Sequence, residues 1–265
     1  MSEKTTPLSF AGLETYSLFD RPSKVGLEHN AAPWEVGSSF AAFLQTLPKQ
    51  LAAHDFVEFV DRCAGVVSQN KSFLVGIGAH VIKVGLSPLL IDLMDRGIIS
   101  GLAVNGACVV HDTEMALAGK TSEDVDAVLG AGKFGMAKET GEIVNEVFNN
   151  RKSDVGFGEA LGQYLLENNA PHANCSLFAS ARRCGIPITV HVAIGTDIVH
   201  VHPSANGAAI GAATYYDFQI FCRLVSALEG GVYVNIGSAV LLPEVFLKAL
   251  TVVRNLGHTV SHFTT

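Results

Sequence analysis

Short apolar runs of strand length alternate with amphipathic segments of helix length along most of this chain, and this alternation limits its fold more than any other feature. Strands are predicted at 72–77, 101–105, 188–194, 232–236 and 258–265. Helical spacing of apolar residues fills the intervals between them. Strands that alternate with helices predict an α/β fold, in which a mostly parallel sheet is covered by helices on both faces.

The helical segments and the N-terminal composition predict how the chain is divided. Within the alternating region, helices are predicted at 87–97, 108–118, 158–168, 174–184, 208–228 and 243–257, with a long helical region over 122–149. Residues 1–35 are polar and rich in turn residues, and helical patterns follow at 38–47 and 54–69. We therefore predict an N-terminal arm with helices over 1–70 and an α/β domain over 71–265, which together form one compact unit.

Composition excludes several classes of function. The net charge is −7 and the sequence has no Lys/Arg cluster, which argues against nucleic-acid binding. No apolar run approaches the roughly 20 residues that a membrane helix needs, and the N-terminus lacks the apolar core of an export signal. The five cysteines form no CxxC pair, as expected of reduced residues in a cytoplasmic protein. These features predict a soluble cytoplasmic protein.

Glycine with a small or polar neighbour follows each internal predicted strand. In parallel sheets, ligands bind beyond the carboxyl ends of the strands, and glycine lets the backbone approach a ligand closely. The segments concerned begin at Gly76, Asn105, Gly195 and Gly237. A complete G-x-G-x-x-G fingerprint is absent, since Val81 stands where the third glycine belongs. The pattern therefore predicts a ligand site beside the carboxyl ends of the strands, but it does not identify the ligand.

Three stretches resemble deoxyhypusine synthases. They are GAHVIKVGLSPLLIDLMDRGIISGLAVNGACVVHDTEMAL, CGIPITVHVAIGTDIVHVHP and GGVYVNIGSAVLLPEVFLKAL, and the ordered resemblance extends over about 70–265. The resemblance implies a Rossmann-like, doubly wound sheet, NAD as the cofactor and a homotetramer. In that family the enzyme transfers the aminobutyl group of spermidine onto a lysine.

Carried over position by position, the resemblance implies a dinucleotide site made of four segments. Its residues are Gly78, Ala79, His80, Asn105, Gly106, Ala107, Gly195, Thr196, Asp197, Gly237, Ser238 and Ala239. Lys83, close to the first segment, is interpreted either as a partner of cofactor phosphate or as an exposed loop lysine.

The chain also departs from the family. Val110 and His111 replace its paired glutamates, Glu244 replaces its histidine, and the segment with the catalytic lysine would begin beyond Thr265. We therefore predict a deoxyhypusine-synthase-like protein that is not a deoxyhypusine synthase. The end of the sequence on a predicted core strand leads us to expect a trimmed chain.

Four residues are candidates for catalysis: His111, Asp112, His200 and Glu244. The ordinary pKa of histidine lies near neutrality, so His111 and His200 are candidate proton carriers. Asp112 and the nearby Glu114 either hold a cationic amine or merely stabilise the start of their helix.

The spacing of His191, Asp197, His200 and His202 leaves three interpretations open. These are a metal site, a hydrogen-bonded turn and a cofactor or substrate pocket. The leading hypothesis for function is an NAD-dependent transferase or oxidoreductase that acts on a small amine or amino-acid-like substrate. The alternatives are a metal-dependent hydrolase built on this histidine and aspartate cluster, and a non-catalytic nucleotide-binding module.

Overall fold

The computed structural model describes residues 5–265, apart from the side chains of residues 127, 128 and 131. Within these residues one parallel sheet is formed by β1 (Phe73–Ile77), β2 (Gly101–Asn105), β3 (Ile188–His191) and β4 (Val232–Ile236). The predicted α/β class is therefore confirmed. The limits of β2 and β4 agree with the prediction, and β1 begins one residue later than predicted.

Helices occupy most of the remaining chain. They are α1 (Phe40–Thr46), α2 (Leu51–Ser68), α3 (His80–Lys83), α4 (Ser87–Asp95), α5 (Gly106–Ala118), α6 (Val125–Val128), α7 (Lys138–Asn150), α8 (Phe157–Glu167), α9 (Leu177–Cys184), α10 (Gly207–Val225) and α11 (Leu241–Asn255). Side-chain caps set several of their starts. The Oγ of Ser176 accepts a hydrogen bond from Ala179 N at the start of α9, and Asn206 Oδ1 accepts from two amides at the start of α10.

The strand order is β3-β2-β1-β4, so the direction of winding reverses between β1 and β4. Successive residues of a strand point to opposite faces, and each face of this sheet carries its own core. Val75 and Val104 belong to the core that includes α5, α8 and α9, whereas Leu74 and Ala103 belong to the core that includes α10 and α11. Helices therefore cover both faces, as a doubly wound sheet requires.

The predicted strand at 258–265 is wrong except at one position. Thr264 forms a single parallel bridge with Val232. Before it, side chains satisfy the backbone groups: the guanidinium of Arg254 donates to Val260 O, and Glu229 Oε2 accepts from the amides of Ser261 and His262. Backbone pairing begins only after these groups: Gly230 N donates to His262 O, Thr264 N donates to Gly231 O, and Tyr233 N donates to Thr264 O. The pairing stays this short because the groups before it already have side-chain partners.

Two other predicted elements are shorter in the structure. Residues 122–149 do not form one long helix; instead the short α6 is separated from α7 by a segment in which Gly132 and Gly135 have φ values of 66° and 76°. Such left-handed residues break helices. The strand predicted at 188–194 ends at His191, because the next amide, Val192 N, donates to Thr214 Oγ1 at 2.9 Å instead of continuing the ladder.

The chain divides into two compact units, Met1–Val60 and Asp61–Thr265. Residues 5–60 of the first unit contain no buried side chain. The sheet and both cores belong to the second unit. In the part of the chain that the structure describes, no helix has the length and apolar character needed to cross a membrane.

Candidate active site at the carboxyl edge of the sheet

The carboxyl ends of the four parallel strands lie at one edge of the sheet, which we call the carboxyl edge. The four segments predicted to bind a dinucleotide lie at or after these strand ends, and one of them begins with Asn105, the last residue of β2. Sheet order places the segments in the sequence Gly195–Asp197, Asn105–Ala107, Gly78–His80 and Gly237–Ala239 along the edge. The structure thus brings together segments that are far apart in the chain.

The loops after β1 and β4 are in direct backbone contact. Gly78 N donates to Ile236 O at 2.9 Å, and a Cβ atom built on Gly78 would lie 2.0 Å from Gly237 O. Ser238 is buried, and its hydroxyl accepts from Leu242 N at 3.2 Å at the start of α11. No side chain larger than hydrogen fits at position 78, so the backbone itself forms this part of the edge. Of the remaining predicted residues here, Ala79 is buried, whereas His80 and Ala239 are exposed.

The start of α5 is closed by side chains from its own strand and from the β3 loop. Asn105 Oδ1 accepts from Cys108 N at 3.1 Å and so caps the helix. Asp197 Oδ2 lies 2.0 Å from the position that a Cβ atom on Gly106 would occupy. Only glycine at position 106 allows the carboxylate to come this close to the helix. This oxygen is buried and has no hydrogen-bond partner among the described residues.

A tight turn in the loop after β3 positions Asp197. The Nδ1 atom of His200 accepts from Gly195 N at 3.1 Å and from Asp197 N at 3.2 Å, while its Nε2 lies 4.0 Å from Asp197 Oδ2. Both side chains are nearly buried. Burial raises the pKa of the Asp197 carboxyl, and the neighbouring His200 opposes that rise. His200 therefore holds the turn, and its Nδ1 is fully used as an acceptor.

A cavity of about 220 Å³ opens beside this turn, between the first half of α5 and the loops after β1 and β3. Its apolar wall includes Val110, Phe134 and Ile198. The charged and titratable groups that line it are Lys83, His111, Glu114, Glu123 and Asp197. Three carboxyl groups face one lysine, so the lining favours a ligand with positive charge.

His111 is tied to a hydrogen-bond chain on one side of its ring. Its Nδ1 lies 2.7 Å from Thr121 Oγ1, which in turn donates to Glu114 Oε2 at 2.5 Å. The second oxygen of Glu114 accepts from Thr140 Oγ1 at 3.2 Å. Desolvation is the largest effect on the pKa of His111 and lowers it. The negative charge of Glu114 opposes this shift, whereas Lys83 and His80 add to it. The lowered pKa favours the uncharged imidazole at the wall of the cavity.

Asp112 lies away from this cavity. It is fully buried, and its carboxylate accepts from Ser176 Oγ at 2.5 Å, from Leu177 N at 2.8 Å and from Phe178 N at 3.4 Å. Burial raises its pKa to about 6, against the effect of these hydrogen bonds. Asp112 thus stabilises a helix start, but the helix is α9 and not its own α5.

The other predicted residues are also dispersed. His191 is buried, bonds to Thr189 Oγ1 at 3.0 Å and stacks edge-on against Phe221, and burial lowers its pKa to about 3. His202 bonds to Ser204 Oγ at 2.7 Å and lies against Gly141 of α7, so it does not share a face with His200. Glu244 is exposed and forms an ion pair with Lys248.

The four residues of the hypothetical metal cluster therefore do not converge. In residues 5–265, no group of three or more His, Cys, Asp or Glu side chains is arranged to hold a metal ion. Of the four, Asp197 and His200 are neighbours in the turn, whereas His191 lies in the core and His202 lies against α7.

Sequence reasoning did not identify Thr121 or Glu123 as residues of the site. Thr121 follows the left-handed Gly119 that ends α5, and this reversal returns the chain alongside the helix. His111 and Glu114 are three residues apart in α5 and so share a face of it. This spacing predicts that His111 and Glu114 lie close together, but Thr121, which joins the two side chains, comes from the loop.

No protein-family model and no curated protein matches the sequence. In structure the chain is similar to unliganded AgrE, with a TM-score of 0.50, 18% identity, and coverage of 76% of this chain and 27% of AgrE. It is also similar to the ternary complex of AgrE with ornithine and NAD+, with a TM-score of 0.49, 17% identity, and coverage of 77% and 27%.

A third similar structure is a putative deoxyhypusine synthase from Entamoeba histolytica, with a TM-score of 0.47, 9% identity, and coverage of 84% of this chain and 97% of that protein. The chain spans about a quarter of the length of AgrE. At 18% identity the similarity to unliganded AgrE shows a shared fold and nothing about activity.

Proposed function

We propose that this chain binds NAD at the carboxyl edge and acts as an enzyme on a small amine or amino-acid-like substrate. On this proposal it is a divergent relative of the deoxyhypusine synthases and does not itself catalyse their reaction. Homotetrameric assembly and a cytoplasmic location are further parts of the proposal, and they rest on the sequence and its resemblance.

The buried oxygen of Asp197 is the observation that carries the proposal. A buried carboxylate oxygen without a hydrogen bond is costly, His200 Nε2 at 4.0 Å is too far away to donate one, and a donor from a ligand would remove that cost. Ribose hydroxyls are such donors, and an acidic residue at a strand end holds them in many dinucleotide sites. Because this carboxylate lies over Gly106 at the start of α5, we assign ribose and not pyrophosphate to this position. Two anions would repel each other there.

The backbone of the carboxyl edge and the position of its loops fit the rest of a dinucleotide. Gly78 is buried against Gly237 O, whereas Gly237 is exposed and presents backbone without a side chain, which allows an extended ligand to approach closely. They flank the point between β1 and β4 where the winding reverses, and this is where ligands bind in open α/β sheets.

The cavity lining supports an amine as the substrate. Glu114, Glu123 and Asp197 line it together with a single lysine, so a cationic amine is attracted. NAD, when bound, supplies the capacity to accept a hydride from the carbon next to the substrate nitrogen. That carbon releases hydride only when the nitrogen has a free electron pair, so an ammonium substrate must first lose a proton. We assign His111 as the acceptor of that proton.

The alternative functions have less support. A metal-dependent hydrolase requires converging ligands, and His191 and His202 lie apart from the Asp197–His200 turn. A non-catalytic nucleotide-binding module shares the same edge, and turnover distinguishes it from an enzyme.

Calorimetric titration of the purified protein with NAD tests the proposal. We expect saturable binding of about one NAD per chain. Asp197→Ala should weaken binding by about 10- to 100-fold, since a hydrogen bond to a charged group contributes about 1.5–3 kcal/mol. Asp154→Ala, which removes an exposed carboxylate elsewhere, is the matched control and should bind NAD like the wild type.

Two results would change the conclusion. Absence of NAD binding by the wild-type protein would overturn the proposal as a whole. NAD binding without reduction of NAD in the presence of any member of an amine and amino-acid panel would favour the nucleotide-binding module.

A further inference from the structure

We infer that Thr121 and Glu114 hold His111 in the neutral tautomer whose proton is on Nδ1, which leaves Nε2 as the proton acceptor at the cavity. Thr121 and Glu114 are thereby positioning residues. The inference deepens the proposed function and rests on it for the catalytic role of His111, while the tautomer itself is a property of the ligand-free protein.

The direction of the hydrogen bonds follows from the number of available protons. A threonine hydroxyl has one proton, and an ionised carboxylate can only accept. Thr121 Oγ1 is 2.5 Å from Glu114 Oε2, so its proton lies in that bond. The bond of 2.7 Å between Thr121 Oγ1 and His111 Nδ1 must then be donated by the ring nitrogen.

Glu114 is itself held in place from a second direction. Thr140 is buried on α7, and its hydroxyl donates to Glu114 Oε1 at 3.2 Å. Both carboxylate oxygens therefore accept a threonine hydroxyl, which leaves the carboxylate little freedom to rotate. The chain from Thr140 through Glu114 and Thr121 to His111 joins α7, α5 and the loop after α5.

The other ring nitrogen of His111 is available to a ligand. Among the described residues, His111 Nε2 has no hydrogen-bond partner, and the residue lines the 220 Å³ cavity. The charged groups whose fields act on the ring are Glu114 on its own helix and Lys83 and His80 from α3. The arrangement thus separates the anchored side of the ring from the side that accepts a proton.

His200 has the opposite arrangement. Its Nδ1 accepts two backbone amides, so in the neutral ring the proton is on Nε2. Protonation at Nδ1 would break both hydrogen bonds of the turn. The two histidines at this edge are consequently held in different tautomers, and of the two only His111 presents an unprotonated nitrogen to a ligand.

Long-range ¹H–¹⁵N correlation spectra of the full-length protein without cofactor test the tautomer directly. The His111 signals are assigned by their loss in His111→Gln. We expect the wild type to show a protonated Nδ1 and an unprotonated Nε2. Thr121→Val should shift the populations toward the Nε2-protonated form, which free histidine prefers, whereas Thr121→Ser should keep the wild-type pattern.

Thr140→Val is the matched control, since it removes a hydroxyl from the same chain but leaves the bonds between His111, Thr121 and Glu114 intact. It should retain the wild-type pattern. An Nε2-protonated His111 in the wild type, or an unchanged spectrum in Thr121→Val, would overturn the inference.

Kinetics add a second readout if the protein oxidises an amine. Thr121→Val should lower kcat/KM by about 10-fold or more and move its acid limb to lower pH. The protonated ring donates more strongly to Thr121 than the neutral ring does, so losing this acceptor lowers the pKa of His111.

The spectra and the NAD titration test two separate statements. The expected tautomer without NAD binding would reject the proposed function alone. NAD binding with the other tautomer would reject this inference alone.

Discussion

Glycine has two different roles at the carboxyl edge. At position 78 the missing side chain allows contact with a backbone carbonyl, Gly237 O, which has little freedom to move. At position 106 it allows contact with the end of the Asp197 side chain. The first contact holds two loops of the scaffold together, whereas the second brings a carboxylate to the start of α5. Substitution at the two positions should therefore affect different properties of the protein.

Gly78→Ala should lower the free energy of unfolding by about 1–3 kcal/mol or more, because its Cβ would overlap Gly237 O and force the two loops apart. Urea unfolding followed by circular dichroism measures the change. The matched control is Gly211→Ala in α10, where a Cβ meets no atom within 4 Å. It should raise stability by up to about 1 kcal/mol through helix propensity. Equal urea midpoints for Gly78→Ala and the wild type would contradict the close contact.

The sequence shows which residue types could act in the site, but it does not determine the role of each residue. His111 and His200 were both candidate proton carriers, and nothing in their local sequence distinguishes their tautomers. The difference comes from Thr121 in one case and from two backbone amides in the other. A hydrogen-bond partner that lies ten residues away through a reversing loop cannot be assigned from residue spacing.

Two helices begin at carboxylates supplied by other helices. Asp112 of α5 accepts from the first two amides of α9, and Asp217 of α10 accepts from the amides of Phe157 and Gly158 at the start of α8. Asp217 also accepts from Val190 N of β3 at 2.7 Å. Burial raises the pKa of Asp217 to about 7, against the effect of these three bonds. Buried carboxylates at helix starts satisfy amides that would otherwise lack partners and interact favourably with the helix dipole.

Asp217→Ala should lower the free energy of unfolding by about 3–5 kcal/mol, since three buried backbone amides lose their acceptor at once. Asp217→Asn, which keeps one acceptor oxygen, should cost less. Asp154→Ala, at an exposed position, should stay within about 0.5 kcal/mol of the wild type. Thermal unfolding by calorimetry gives the three values, and an alanine variant as stable as Asp154→Ala would exclude the capping role.

The acidic residues show why sequence reasoning was only partly successful for the elements. The sequence predicts that Asp112 stabilises its own helix or binds an amine, because local sequence reports only on the helix that contains a residue. Its actual partners are 64 to 66 residues away. The limits of the strands β2 and β4, in contrast, agree with the prediction, because periodicity and glycine act over a few residues.

Among the residues that the structure describes, all buried side chains lie in the second of the two units. The sheet, both cores and the candidate site belong to Asp61–Thr265, whereas residues 5–60 bury none. Several large apolar residues of the first unit are highly exposed, among them Phe19, Leu27 and Val36. Segments with few buried contacts open locally at low cost in free energy.

Native-state hydrogen exchange should therefore separate the two units. The amides of β1 and β2 should exchange through global unfolding and be protected by about 10³-fold or more. Those of α1 should exchange at least about 100-fold faster than the strand amides, because no buried side chain in residues 5–60 holds that helix in place. Mass spectrometry of peptic fragments measures both. Equal protection of α1 and the strands would show that some other surface covers the N-terminal unit in solution.

The sequence by itself determined the fold class, the parallel sheet and the meeting of four glycine-containing strand ends at one edge. These features depend on periodicities of two and 3.6 residues and on the rule that parallel strands share a carboxyl edge. Tertiary structure alone decided which polar groups meet there. Asp197 faces Gly106, Thr121 joins His111 to Glu114, and His191 lies in the core. Such contacts depend on the packing of elements distant in the chain, and short-range periodicity carries no information about that packing.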